Sequence, residues 1–232
     1  MRLHRFYIYD TLPVRGKIAV EIPDLLHQWR NVFRMKNGDQ VILFNAAGTE
    51  FTCVIDTLDR KSATCTIMSE EPGKRATKPL TLCAALIKKD NFDLIVQKSV
   101  ELGATRIIPI ISERSEKKGL NLERAERILI EAAEQCGRVD IPSIDPPMSF
   151  DAALSQLSTE STIIGFDPIG ATFDAHAFTH THLALFIGPE GGWTEHEIDA
   201  LQTAGRLLQL PTFILRAETA AIATLALATT LR

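Results

Sequence analysis

Aromatic residues make up only 6% of this 232-residue chain, with two tryptophans and two tyrosines, and cysteines number four. Cys53, Cys65, Cys83 and Cys136 are too far apart in sequence for any C-x-x-C clamp, which excludes a disulfide-stapled miniprotein and a cysteine zinc ribbon. Nothing at the start resembles a secretion signal, so a reducing, cytoplasmic setting is expected. Long hydrophobic runs are also missing. The most apolar tract, 220–231, holds twelve residues with three threonines, well short of the ~20 needed to span a bilayer. It reads as a buried core helix.

Basic charge is scarce where it would be needed for nonspecific polyanion coating. Lys+Arg against Asp+Glu runs 9 to 9 over residues 1–73, 13 to 9 over 74–138, and 3 to 11 over 139–232. A net charge of -4 therefore hides one basic block in the middle of the chain. Such a block can offer a cationic face to a polyanion, or it can be an ordinary solvated helix face. A hydrophobic content of 45% and a charged content of 23% are ordinary globular values, and the length suits one large domain or two small ones.

Up to residue 71 the texture is β-rich. Segments 4–9, 40–45, 50–58 and 62–69 read as short strands separated by turns such as Asn37-Gly38-Asp39. A helix is expected over 23–35, where Leu25, Leu26, Trp29, Val32 and Phe33 fall near helical spacing. The run from Glu70 to Pro79 is polar, holds two prolines and one glycine, and lacks periodicity, so the domain boundary is placed there. The expected domains are 1–73 and 74–232. Beyond the boundary, strands at 80–87, 106–111, 161–166, 183–187 and 207–210 alternate with helices at 92–102, 122–136, 195–204 and 217–231. That alternation predicts an α/β fold with a parallel sheet covered on both faces. Thr194 with Glu197 spells a capping box, Gly205 stands where a helix should end, and Asn121 and Gly137 should bound the 122–136 helix. Gln135 and Arg138 then lie at that helix's end, either reaching toward a cleft or simply exposed.

Two loops carry the sharpest chemistry. Ile187-Gly188-Pro189-Glu190-Gly191-Gly192 leads from a buried strand into the capped helix, and such a loop lets backbone N–H groups approach a ligand at the carboxyl end of a parallel strand. Neither G-x-G-x-x-G nor a P-loop lysine is present, and a turn requiring positive φ would use the same glycines. The second loop runs through Ile214-Leu215-Arg216-Ala217-Glu218, whose two charges are the only ones between Arg206 and Arg232. They could act on a substrate or close the helix start as an ion pair. His176, His180 and His182 lack cysteine or acidic partners at ligand spacing, so no metal is expected.

Taken together, Arg5, the segment 88–103, Glu131-Ala132-Ala133-Glu134-Gln135-Cys136-Gly137-Arg138, Gly188-Pro189-Glu190-Gly191-Gly192 and 214–221 resemble the RsmE-like family of small-subunit ribosomal RNA uracil-N3 methyltransferases across nearly the whole chain. The resemblance implies an N-terminal PUA-like β-barrel that binds RNA, and a C-terminal SPOUT α/β domain whose trefoil knot binds S-adenosylmethionine. It also implies a homodimer acting on small-subunit ribosomal RNA or the assembled subunit, with neither a membrane nor a metal involved. Carried onto this chain, Ile187, Gly188, Pro189, Glu190, Gly191 and Gly192 would hold the cofactor from one side, and Leu210, Pro211, Ile214, Leu215, Thr219 and Ala220 from the other. Arg216 would stabilise the uracil anion as the catalytic cation, Glu218 would orient it, and Arg5, Gln135 and Arg138 would grip the RNA. The chain departs from the family before Ile-Leu-Arg, where Pro211 and Phe213 stand in place of the usual Gly and Arg. The competing expectation is a noncatalytic RNA-binding or ribosome-assembly factor.

Overall fold

The computed structural model describes residues 3–9, 15–45 and 47–231. Its contacts divide the chain into two units, Met1–Arg75 with Ala133–Asp140, and Ala76–Ala132 with Ile141–Arg232.

In the first unit, β1 (His4–Tyr7), β2 (Lys17–Val20), β3 (Gln40–Phe44), β4 (Thr49–Leu58) and β5 (Ala63–Pro72) form one sheet in the order β1-β3-β4-β5-β2. β1 runs parallel to β3 and the other pairs are antiparallel. Among the described residues β1 and β2 do not pair with each other, so the five strands are observed as a sheet. Alternation decides which residues face inward. Phe6, Val41, Leu43, Cys53, Ile55 and Cys65 are buried together with Leu26 and Trp29, as period-two side-chain placement requires. The helix expected over 23–35 begins as α1 (Pro23–His27) with a proline in its first turn, where a missing N–H costs nothing. It then widens over Gln28–Val32, where the Phe33 N–H donates to the Gln28 carbonyl at 3.0 Å, and Arg34 ends it at a φ of 54°. The four-residue β2 was not anticipated, since Lys17-Ile18-Ala19-Val20 is too short to show periodicity.

Residues Ala133–Asp140 were expected in the other domain, yet they belong with the first unit. The Tyr7 N–H donates to Glu134 Oε1 at 2.9 Å, and the Val139 N–H donates to the Lys74 carbonyl at 2.8 Å. Val139 packs so close to Gly73 that a Cβ there would lie 2.1 Å from Val139 Cγ1.

The second unit contains β6 (Leu80–Ala85), α2 (Lys89–Glu101), β7 (Arg106–Ile111), α3 (Leu122–Cys136, whose last turn lies in the first unit), β8 (Ser143–Ile144), β9 (Met148–Ser149), α4 (Phe150–Leu157), β10 (Thr162–Thr172), β11 (Leu183–Ile187), α5 (Glu195–Ala204), β12 (Arg206–Gln209) and α6 (Ala217–Leu231). Its sheet follows the order β12-β10-β11-β6-β7-β8, with β9 added beside β7, and each recorded pairing is parallel. β6 and β11 are buried at every position, which is why they read as continuous apolar runs rather than alternating ones.

The helix ends follow the caps read from the sequence. Thr194 and Glu197 form the reciprocal capping box, the Arg124 N–H donates to Asn121 Oδ1 at 3.0 Å, and Gly137 has a φ of 87°. Gly205 serves for a different reason than a left-handed cap: its φ is -172°, but a Cβ there would sit 2.3 Å from the Ile163 carbonyl oxygen. α4 was missed although Ser149 caps it and Phe150, Ala153, Leu154 and Leu157 are buried at helical spacing. β10 continues past its expected end at 166, with an irregularity against β12 between Phe166 and Ala171. None of the described helices is long and apolar enough to cross a membrane.

Candidate functional site

Because the sheet is parallel, β10, β11 and β12 all release their chains at the same edge, and a ligand site there is the general expectation. A cleft of about 330 Å³ occupies that edge, within the ~300–1,000 Å³ usual for small-molecule sites. Three chain segments wall it: 166–168 from the β10 irregularity, 187–193 after β11, and 209–217 between β12 and α6, with Ala220 one turn further on.

The glycine loop is held rigidly by groups outside its own sequence. Gly188 is needed for close approach, since a Cβ there would lie 3.0 Å from the Trp193 ring. Gly192 has a φ of 69°, and its N–H donates to the Pro189 carbonyl at 2.9 Å. The Trp193 indole N–H donates to the Phe166 carbonyl at 3.2 Å, fastening the loop to β10. On the other side Arg114 Nη1 donates to the carbonyls of Gly191 and Trp193 at 2.9 and 3.0 Å. Glu197 is buried and uses both oxygens: Oε2 accepts the Thr194 N–H at 2.9 Å, and Oε1 accepts the Glu113 N–H at 3.0 Å. One carboxylate thus joins the α5 start to the segment that follows β7.

The opposite wall turns sharply, with the Thr212 N–H donating to the Leu210 carbonyl at 2.8 Å. α6 then begins, its Ala220 N–H donating to the Arg216 carbonyl at 2.8 Å. The first amides of a helix have no intrahelical acceptor and carry partial positive charge. Ala217 and Ala220 place that helix start on the cleft wall.

Of the residues singled out from sequence, Ile187, Gly188, Pro189, Glu190, Gly192, Leu210, Ile214, Leu215, Arg216 and Ala220 all line this cleft. Gly191, Pro211, Thr219 and Glu218 are not among the lining residues. Gly191 packs against Arg114, while Pro211 and Thr219 are exposed. Arg216 is exposed at the cleft, whereas Glu218 is buried with Oε2 lacking any hydrogen-bond partner. The two form no recorded ion pair among the described residues. Thr212, Phe213 and Ala217 line the cleft from within the second loop, while Phe166, Asp167, Pro168, Trp193 and Gln209 also line it and were not foreseen. Ending β10 at residue 166 hid the Asp167-Pro168 pair, whereas Trp193 adjoins a glycine loop already singled out.

In the first unit, Arg5 and Arg138 have side chains 8% and 7% exposed. Arg5 faces Glu50 and lies 5.1 Å over the Phe44 ring, with its Nε and Nη2 buried and lacking acceptors. Arg138 pairs with Asp140, its Nε donating to Oδ1 at 3.1 Å. Neither side chain is held out toward solvent as a free phosphate contact; Gln135, between them in sequence, is exposed. His176, His180 and His182 are exposed, and no group of three or more His, Cys, Asp or Glu among the described residues is arranged to hold a metal.

The residues present fit a methyl-donating sulfonium cofactor. The walls are mostly apolar with a glycine cradle, a helix start is available to a carboxylate, and two acidic side chains, Asp167 and Glu190, stand on the wall against one cation, Arg216.

Comparison with known proteins agrees with this chemistry. Residues 74–229 match the family model of an RNA methyltransferase domain, and residues 30–68 match an RNA methyltransferase PUA domain. The crystal structure of a ribosomal RNA small subunit methyltransferase E from Neisseria gonorrhoeae, bound to S-adenosyl methionine, superposes with a TM-score of 0.92 at 30% identity, covering 99% of this chain and 98% of that one. The methyltransferase E of Rickettsia conorii is 28% identical across 97% of this chain and 95% of its own length. That of Bacillus subtilis is 30% identical across 84% and 83%.

A parallel α/β domain with a glycine-cradled cleft, accompanied by a PUA domain, defines an RNA methyltransferase, and the noncatalytic alternative falls away. Within that class the chain belongs to the ribosomal RNA small subunit methyltransferase E family.

Proposed function

We propose that the protein transfers a methyl group from S-adenosylmethionine to N3 of a uridine in small-subunit ribosomal RNA. The observation that carries this reading is the cleft itself, walled by the two loops singled out from sequence and flanked by an exposed arginine, in a chain of this family.

Bound S-adenosylmethionine supplies an electrophilic methyl group on a positively charged sulfur. The chain's own residues must then present the nucleophile in line and manage its proton, because the N3 imide hydrogen has to leave before the nitrogen lone pair can attack. Arg216, exposed at the cleft, is the group proposed to stabilise negative charge as it develops on the uracil. Glu218 is a positioning residue: its buried, unpartnered Oε2 sits in the first turn of α6, two residues after the arginine. Ile187, Gly188, Pro189, Glu190, Gly191 and Gly192 hold the donor from one side, with Leu210, Pro211, Ile214, Leu215, Thr219 and Ala220 on the other. Gly191, Pro211 and Thr219 act there by shaping backbone rather than by lining the wall.

Residues 1–73, joined by Ala133–Asp140, serve as the RNA-binding PUA-like barrel, and the rest of 74–232 as the SPOUT methyltransferase domain. Gln135 is the exposed member of the proposed RNA-contacting set. Arg5 and Arg138 join it by exchanging their carboxylate partners for phosphate. A trefoil knot around the donor site, a homodimer and a cytoplasmic location complete the proposal, as the family resemblance implies.

The test is nucleoside mass spectrometry of small-subunit ribosomal RNA from cells with and without the gene. One N3-methyluridine should disappear on deletion and return with the wild-type gene. An unchanged nucleoside profile would overturn the reading.

A further inference from the structure

Large apolar side chains standing in solvent in the second unit are Ile169, Phe213 and Ile214, which are 67%, 92% and 86% exposed. Phe213 and Ile214 line the cleft, and Ile169 follows the wall residue Pro168. A ring left almost wholly in water gains by being covered, and the loop holds it there. Pro211 fixes one φ angle, and the Thr212 N–H is tied back to the Leu210 carbonyl at 2.8 Å.

The reaction itself names the occupant. N3 of uracil lies on the Watson–Crick edge, so a base methylated there must be unpaired and turned out of its stack. It then loses the neighbours that covered its faces, and proteins that handle such bases replace them with an aromatic ring or a guanidinium plane. Phe213 offers the ring, and Arg216, three residues on in the same cleft, offers a cation to the edge where charge develops. A second copy of the chain is the competing occupant, and the sedimentation measurement below separates it from a base.

We propose that Phe213 is the base-stacking residue of this site, its ring covering one face of the target uracil while the edge faces Arg216. The inference rests on the uridine-methylating reading above.

The test uses the full chain, small ribosomal subunits from cells lacking the gene, and labelled S-adenosylmethionine. It measures kcat and KM for the subunit in wild type, Phe213→Ala, Phe213→Leu and Phe213→Trp. Calorimetry with S-adenosylmethionine and sedimentation are run on each variant. Alanine and leucine should both lower kcat/KM for RNA by about tenfold or more, the scale expected for a lost base stack. Tryptophan should retain it, and assembly mass should stay as in wild type. Because Phe213 also lines the donor cleft, the RNA kinetics are measured at S-adenosylmethionine concentrations that calorimetry shows to be saturating for each variant. Full efficiency in Phe213→Ala, or in Phe213→Leu, which keeps apolar bulk without a π face, would overturn the stacking role. A fall in assembly mass in Phe213→Ala would instead assign the ring to a subunit contact. If the wild-type protein itself transfers no methyl to uridine N3, the underlying reading fails and the stacking role goes with it, an outcome distinguishable because no variant is needed to see it.

Discussion

Replacing Arg216 with alanine is expected to slow methyl transfer by about 10²–10³-fold, the usual effect of removing one preorganised group aimed at developing charge. Its side chain is exposed at the cleft, while its carbonyl, which starts α6 by accepting the Ala220 N–H at 2.8 Å, is untouched by the substitution. Affinity for S-adenosylmethionine should therefore hold to within about twofold, placing the loss in kcat and not in cofactor binding. Arg216→Lys keeps the charge without the planar fork and should recover only part of the rate. Single-turnover methylation of small subunits checks this. A wild-type rate in Arg216→Ala would remove the arginine from the chemistry.

The second large effect is expected at Glu197, which no substrate touches. Its buried carboxylate accepts the backbone N–H groups of Thr194 and Glu113 through different oxygens. Glu197→Ala leaves both donors without an acceptor, at about 1–3 kcal/mol for each unsatisfied group. In a chain of this size that lowers Tm by roughly 4–24 °C. Because Thr194 adjoins the glycine loop and Glu113 precedes Arg114, which holds the loop's carbonyls, affinity for S-adenosylmethionine should fall as well, by about tenfold for each 1.4 kcal/mol lost from the loop. Glu197→Gln, which keeps one carbonyl acceptor, should fall between wild type and alanine. Thermal melts and calorimetry on the same preparations check both effects, and a variant with reduced Tm but full cofactor affinity would show that the loop does not depend on this carboxylate.

What could be read from the residues follows the range of the physics involved. Continuous apolar runs at β6 and β11 showed burial on both faces, and so a parallel sheet, because periodicity is a local signal. The capping box at Thr194 and Glu197 was legible for the same reason. The second role of Glu197, accepting the Glu113 N–H from 84 residues away, was not, because tertiary contact alone creates it. The same holds for Arg114, which latches Gly191 and Trp193, and for Asp167, carried to the cleft wall by an irregularity in β10. Arg138 was read at a helix end and Arg5 entered through the family resemblance, but charge along a sequence does not show which carboxylate it meets. Glu50 and Asp140 settle that only once the chain has folded.

The account depends on the cleft at the ends of β10, β11 and β12 being the methyl-donor site. Titration calorimetry of the folded full-length protein with S-adenosylmethionine tests this most directly, alongside Gly192→Val, which forces a β-branched residue into a φ of 69°. Saturable binding to the wild-type protein, abolished in a Gly192→Val variant that still melts cooperatively, is the predicted result. No binding by the folded wild-type chain, or undiminished binding by Gly192→Val, would contradict it.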